Sequence, residues 1–135
     1  MSDSKTNCLS LTRVIYIHYQ LVKKFGGLQG IRDIRLVESA IARSQTTFDG
    51  TDQYKNIFNK AAALLKSLLK NHPFVDGNKR TALTSSGLFL KMNGWNLINN
   101  HNQEAEFAIK VDNQNLTHKD ISKWLKDHSE KISKK

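Results

Sequence analysis

HPFVDGNKRTA, residues 72–82, joins two apolar runs that each have a helical pattern. Pro73 has no backbone N–H, and it pushes the residue before it out of the α region. The first of the two helices is therefore predicted to end at His72. The Asp-Gly pair that follows supplies turn and cap residues, so the second helix is predicted to begin near Asn78.

The start of that second helix is predicted to bind an anion. A helix N-terminus presents unpaired N–H groups and the positive end of the helix dipole, and both attract negative charge. Lys79 and Arg80 lie in the first turn, where cations oppose the dipole. Two cations at a place where carboxylates would be stabilising indicate that a negative group, such as phosphate, fills the site.

One imidazole and one carboxylate accompany this predicted anion site. An imidazole such as that of His72 is suited to take a proton from an attacking hydroxyl at neutral pH. Asp76 can hold Mg²⁺ against phosphate oxygens, because that ion prefers one or two carboxylates together with phosphate and water. A base, a metal ligand and a phosphate site in one loop predict transfer of a phosphate-containing group. The alternative is structural, with a helix-end histidine, an N-cap aspartate and a solvated basic face.

The same stretch resembles the signature of the Fic/Doc (Fido) superfamily, His-Pro-Phe-x-Asp/Glu-Gly-Asn-Gly/Lys-Arg, and matches it at every fixed position. Lys79 stands where adenylylating Fic enzymes usually carry glycine, which is similar to the death-on-curing (Doc) branch, the toxins of type II toxin–antitoxin systems. The resemblance extends from about Leu9 to Leu125. Further Doc-like sequence lies at Gly30–Asp33, Leu36–Ala40, Lys60–Ala62 and Asn93–Gly94.

The resemblance implies a role for each residue of the motif. His72 would be the base that takes the proton from a Ser or Thr hydroxyl of a target protein, and Asp76 would hold Mg²⁺ against the nucleotide phosphates. Gly77 and Asn78 would contribute a backbone and side-chain anion hole. Arg80 would bind phosphate directly.

Lys79 completes the expected catalytic set and bears on which group is transferred. Fic enzymes place ATP so that AMP is transferred, whereas the Doc branch places it reversed, so that the γ-phosphoryl is transferred. A lysine in place of glycine adds charge and bulk, which is compatible with reversal. The resemblance thus implies a Mg-ATP-dependent kinase that arrests translation through elongation factor Tu. The alternatives are a protein adenylyltransferase and an inactive basic binding protein.

Regulation follows from a motif that the sequence lacks. Fido proteins that silence themselves carry Ser/Thr-x-x-x-Glu-Gly/Asn, and these 135 residues contain no such segment. A toxin of this kind would need an inhibitor in trans, so the resemblance implies a Phd-type antitoxin. Its acidic tail is expected to fold along the basic surface near the motif.

Length and composition indicate one domain. A location in the cytoplasm is expected from the features that follow. The expected division is a flexible N-terminus at 1–8, a Fido domain at 9–128 and a basic C-terminal tail at 129–135. No apolar run reaches the roughly 18 residues that cross a bilayer, and the polar N-terminus lacks the apolar core of a secretory signal. The single cysteine, Cys8, cannot form an internal disulfide.

The formal net charge of +9 raises the question of nucleic-acid binding. Clustered Lys and Arg residues bind phosphate backbones. Here the basic residues are scattered along the chain, and no basic helix or zinc finger is present. A nucleotide and an acidic protein partner are therefore favoured over direct nucleic-acid binding.

Helical periodicity predicts an all-α fold of about six helices, with the third as the buried centre. Thr117 with Asp120 is typical of a capping box that opens the sixth helix. Residues 95–98 form a candidate extended segment. The predicted bounds of the first five helices are Ser10 or Thr12 to Phe25, then 31–43, 56–71, 78–93 and 103–112.

Residues 44–55 break the helical pattern and leave two alternatives open. Asp49-Gly50 is a turn signal, and the residues before it favour extended chain. An ordinary surface loop is one interpretation. By resemblance, the segment occupies the place of the Fido flap, a small β-hairpin that aligns a target backbone by strand addition.

Several other residues carry structural expectations. His18, a lone histidine on a helix, is predicted to be structural. Phe25 is predicted to face the core. Phe74 is predicted to fill the core below the loop at 72–77, called the motif loop from here on. Arg32 and Asp33 either form local pairs or support the motif loop, and the sequence does not decide between these.

Overall fold

Helix α3 (Gln53–Asn71) is the buried centre of the fold. The structure is a computed structural model that describes residues 6–45, 53–98 and 101–133. Helix α3 packs against α2 (Ile34–Gln45), α4 (Asn78–Met92) and α6 (His118–Asp127). The apolar side chains that were predicted to bury it are at most 3% exposed, and they are Ala61, Ala62, Ala63, Leu64, Leu65, Leu68 and Leu69.

Two further helices, α1 (Leu11–Phe25) and α5 (His101–Gln114), bring the described residues to six helices and confirm the predicted all-α class. Capping residues fix several ends. The Ser10 hydroxyl accepts the N–H of Arg13 at 3.1 Å and opens α1. Thr117 and Asp120 form the predicted reciprocal capping box of α6, with both hydrogen bonds at 3.1 Å.

Helix α2 begins three residues later than predicted, at Ile34. The N–H groups of Arg32 and Asp33 both donate to the carbonyl of Pro73. These two residues therefore contact the motif loop and do not form the first turn of α2. At its other end α2 continues to Gln45, into the segment whose pattern was predicted to break. The predicted flap hairpin falls largely on 46–52, which lie outside the described residues.

A small antiparallel sheet pairs β1 (Trp95–Leu97) with β2 (Ser129–Lys131). The predicted extended segment at 95–98 is therefore confirmed. Residues 129–131, the first three of the expected C-terminal tail, complete this sheet. Hydrogen bonds from Ile132 N to Gly94 O (2.9 Å) and from Ile98 N to His128 O (2.6 Å) hold the two ends of the pair.

The N-terminal segment is described from residue 6 and is attached to the end of α4. Asn7 N donates to Asn93 Oδ1, and Asn93 Nδ2 donates to Asn7 O, both at 2.8 Å. Residues 6–8 of the predicted flexible N-terminus thus contact the domain, while the domain boundaries themselves stay a prediction. Within the described ranges, no helix is both long and apolar enough to span a bilayer.

Candidate active site

The motif loop connects the C-terminus of α3 to the N-terminus of α4, two helices that pack against each other. Helix α3 ends at Asn71, and His72 adopts a left-handed backbone with φ 49°, which lies outside the right-handed α region that Pro73 disfavours but also outside the extended region that it favours. That conformation costs a non-glycine residue about 1–2 kcal/mol. Surrounding contacts must therefore hold His72 in place.

Phe74 anchors the loop in the core. Its side chain is 1% exposed, and its ring stacks on the imidazole of His18 with centroids 3.8 Å apart. The Nε2–H of His18 donates to the backbone carbonyl of Asp76 at 2.7 Å. Burial lowers the pKa of His18 below its usual value, more strongly than the Asp76 carbonyl and carboxylate raise it. The predictions that His18 is structural and that Phe74 fills the core are confirmed.

Asn78 closes the loop from the other side. Its side-chain Oδ1 accepts the Phe74 N–H at 3.0 Å, and its Nδ2 donates to the Phe74 carbonyl at 2.9 Å. The side chain is buried, so these two bonds hold the loop rather than extend into solvent. One Nδ2 hydrogen remains for the anion hole that the resemblance implies, and that role stays a prediction.

Gly77 is the N-cap of α4 in a left-handed conformation (φ 74°, ψ 19°), and no described side chain caps this helix end. The first-turn N–H groups of a helix have no acceptor within the helix. A Cβ at Gly77 would lie 3.2 Å from Val22 Cγ2, so the position is crowded as well as left-handed. The N-terminus of α4 therefore offers donors to an anion, and the binding of an anion there stays a prediction.

The Asp76 carboxylate lies beside that helix end and is exposed to solvent. Leu28 N donates to Oδ2 at 3.1 Å, and Gly77 N donates to Oδ1 at 3.2 Å. A Cβ at Gly27 would lie 3.0 Å from Oδ2, so glycine permits this close approach. The two N–H groups fix the carboxylate while leaving lone pairs on both oxygens for a cation.

Across the described residues, no group of three or more His, Cys, Asp or Glu side chains is placed to hold a metal ion. A divalent ion at Asp76 would therefore take its remaining ligands from phosphate and water. That is the coordination Mg²⁺ prefers, so the single carboxylate fits this ion better than a metal that needs several protein ligands.

The two motif cations are held by different helices. The guanidinium of Arg80 lies over the ring of Phe25, 4.1 Å from its centroid, and Phe25 is 45% exposed. The prediction that Phe25 faces the core is therefore wrong, because its ring supports Arg80 at the end of α1. Lys79 Nζ lies 3.8 Å from Asp112 Oδ2 on α5. Arg80 and Lys79 are both positioned before any ligand binds.

A cavity of 710 Å³ opens beside these two cations, between α1, α4 and α5. Its wall combines apolar side chains with three cations and one carboxylate, that of Glu104, so the net positive lining suits a ligand that has both a hydrophobic part and phosphates. The apolar lining residues are Leu21, Phe25, Leu83, Ala105, Ala108 and Ile109, and the cationic ones are Lys24, Lys79 and Arg80.

The structure brings the predicted site residues together in one loop and one helical turn: His72, Asp76, Gly77, Asn78, Lys79 and Arg80. It also resolves the alternatives for Arg32, whose side chain supports the loop through the carbonyls of Asn71 and His72. Asp33 forms the local pair instead, with Arg35.

Comparison with known proteins gives a match to the Fic/DOC family model over residues 8–90. Toxin Doc of Mycolicibacterium smegmatis is 51% identical over 70 residues, which are 52% of this chain and 54% of that protein. Protein kinase doc of Escherichia phage P1 is 35% identical over 86 residues, which are 64% of this chain and 68% of that protein. The match thus spans about half the length of the mycobacterial relative.

Proposed function

The chain belongs to the Fic/DOC family, and on that premise we propose that it is a Doc-type toxin that phosphorylates a protein. The γ-phosphoryl of ATP is transferred to a Ser or Thr hydroxyl. The observation that carries the proposal is the placement of His72, Asp76 and the N-terminus of α4 in one short loop. The name of the phage P1 relative, a protein kinase, supports the same reaction.

In the proposed complex, the nucleotide phosphates lie at the N-terminus of α4. The first-turn N–H groups and the helix dipole attract them, and Gly77 lets the backbone approach closely. Arg80 and Lys79 add two positive charges at the edge of the 710 Å³ cavity. The apolar wall of that cavity accommodates the adenosine part of the nucleotide.

Asp76 would hold the Mg²⁺ that accompanies ATP. The ion would neutralise phosphate charge when bound. The N–H groups of Leu28 and Gly77 keep the carboxylate in a fixed orientation. Because both donors are backbone N–H groups, the orientation of the Asp76 carboxylate does not depend on the rotamer of another side chain.

His72 takes the proton from the target hydroxyl as its oxygen attacks the γ-phosphorus. The new bond joins that oxygen to phosphorus, the bond from phosphorus to the β–γ bridging oxygen breaks, and ADP leaves. The proton passes from the imidazole to solvent. Catalysis otherwise depends on positioning and charge stabilisation, as in phosphoryl transfer generally.

Adenylyl transfer is the second candidate for the reaction, and the position of Lys79 is compatible with it. Lys79 Nζ lies 3.8 Å from Asp112 Oδ2, so part of its charge is already paired across the site. The lysine alone therefore does not dictate which phosphate of ATP faces His72.

We propose elongation factor Tu as the target and an acidic Phd-type antitoxin as the partner in the cytoplasm. The net charge of +9 and the basic edge formed by Lys24, Lys79 and Arg80 favour an acidic segment over this cavity. Such a segment would cover the nucleotide site and so inhibit the toxin.

Label transfer distinguishes the two reactions. Elongation factor Tu is incubated with the protein, Mg²⁺ and ATP labelled at either the γ- or the α-phosphate. Phosphorylation predicts label from γ-labelled ATP alone, lost in His72→Ala. Label from α-labelled ATP would instead establish adenylyl transfer.

A further inference from the structure

Arg32 makes an unusual set of contacts with the end of α3. Its Nε donates to the carbonyl of His72 at 2.7 Å, and a terminal guanidinium nitrogen donates to the carbonyl of Asn71 at 2.6 Å. Its backbone N–H donates to the carbonyl of Pro73 at 2.7 Å. One residue thus binds three consecutive carbonyls, and the middle one belongs to the proposed base.

Those carbonyls need a donor from elsewhere in the chain. The last carbonyls of a helix have no partner within it, and a cation near them also interacts favourably with the negative end of the helix dipole. Pro73 cannot donate a hydrogen bond to them. Arg32 supplies the missing cap of α3 from the segment before α2.

The backbone of His72 makes this cap important for function. Its φ of 49° is left-handed, and such a conformation in a non-glycine residue persists only where the surroundings enforce it. The contacts of Arg32 lie on both sides of His72, at Asn71 and at Pro73. Arg32 therefore contacts the backbone at His72 and on both sides of it.

Backbone hydrogen bonds on either side of Arg32 also hold the motif loop. Ile31 forms an antiparallel bridge with Phe74, and Val75 N donates to Gly30 O at 3.0 Å. These bonds involve backbone only, so they remain when the side chain of Arg32 is changed. A side-chain substitution consequently removes the two guanidinium bonds selectively.

We propose that Arg32 is a positioning residue for the general base, one that holds the His72 backbone in the conformation from which the imidazole takes the substrate proton. The proposal rests on the proposed function of His72. It assigns Arg32 no contact with ATP or with the target protein.

Arg35 provides a matched control. It is an arginine in the neighbouring turn whose side chain is 83% exposed and pairs with Asp33 at 3.3 Å. Its removal changes the net charge by the same amount as removal of Arg32. A surface ion pair of this kind contributes little to stability.

The kinetic test compares Arg32→Ala, Arg32→Lys and Arg35→Ala with the unmodified protein, each well below its own Tm. Arg32→Ala is expected to lower kcat for phosphoryl transfer about 10- to 100-fold, because small misplacement of a reacting group has that effect. KM for ATP should stay the same. Arg32→Lys keeps a cationic donor and should recover part of kcat, while Arg35→Ala should match the unmodified protein.

The second readout does not need activity. The imidazole signals of His72 are followed by NMR in the free proteins, and they should move in Arg32→Ala and stay in place in Arg35→Ala. If the unmodified protein transfers nothing but the signals behave this way, the proposed function fails, and what stands is only that Arg32 fixes the conformation of His72. Unchanged kcat with unmoved His72 signals would overturn the proposal. So would an equal displacement of all five histidines, which would indicate a general loss of structure.

Discussion

The Nε2 atom of His18 lies 2.7 Å from the backbone carbonyl oxygen of Asp76. This hydrogen bond connects a buried side chain of α1 with the residue proposed to hold the metal ion. The imidazole is also stacked on Phe74, so His18 fixes the loop at two points. The position of the candidate metal ligand therefore depends on the core packing of a helix distant in sequence.

Stability is expected to fall on mild acidification because of His18. Its pKa in the folded protein is lowered by burial from 6.5. As pH falls below that value, the unfolded chain takes up the proton first, so the free energy of unfolding decreases until the folded pKa is passed. Urea unfolding between pH 7.5 and 5, about the range in which histidines titrate, should show this slope.

His18→Gln removes the titrating group and should flatten that slope. His118→Gln is the matched variant, because desolvation and the charges of Lys66 and Arg43 also lower the pKa of His118. Each variant should remove its own part of the slope. A slope unaltered by His18→Gln would show that His18 does not titrate in this way.

Phe74→Ala should destabilise the protein by about 3–5 kcal/mol, because it leaves a cavity in the core and removes the stack on His18. The adjacent Val75→Ala should change stability by about 0.5 kcal/mol or less, since Val75 is 51% exposed. Urea unfolding measures both. Equal losses in the two variants would contradict the anchoring role of Phe74.

Two left-handed glycines separate backbone strain from crowding at the motif. Gly77→Ala and Gly94→Ala both force alanine into positive φ (74° and 94°), which costs about 1–2 kcal/mol. Only at Gly77 does the added Cβ meet another atom, Val22 Cγ2 at 3.2 Å. Thermal unfolding should show a larger loss for Gly77→Ala, and equal losses would mean that Val22 yields freely.

Phe25→Leu should weaken ATP binding about 2- to 5-fold, which corresponds to removal of a partly exposed cation–π interaction of about 0.5–1 kcal/mol. Leucine has no aromatic face, so the guanidinium of Arg80 would no longer be held over a ring at the end of α1. Phe25→Tyr keeps an aromatic face and should bind ATP as the unmodified protein does. Calorimetric titration measures both, and equal weakening in the two variants would mean that the ring does not act through Arg80.

The elements around the loop could be predicted because their signals are local. Pro73 and Gly77 mark the helix ends on either side, and the apolar density of α3 identifies it as the centre. Thr117 with Asp120 likewise marks the start of α6 with a motif only four residues long. These features need no knowledge of distant contacts.

What could not be predicted depends on contacts between distant segments. Strand β2 has three residues and forms only because β1 offers its backbone. The choice of Arg32 between a local pair and the motif loop is decided by carbonyls 39 and 40 positions away. Phe25 fits the helical period of α1, but it lies at the end of the helix, beyond the core. There its ring contacts the guanidinium of Arg80.

The central claim is that His72 drives phosphoryl transfer to a protein. It is tested most directly by the intact mass of elongation factor Tu after incubation with the protein, ATP and Mg²⁺, with His72→Ala alongside. A gain of one phosphoryl group that His72→Ala abolishes is the result predicted. A gain of one AMP, or an equal gain with His72→Ala, would contradict the claim.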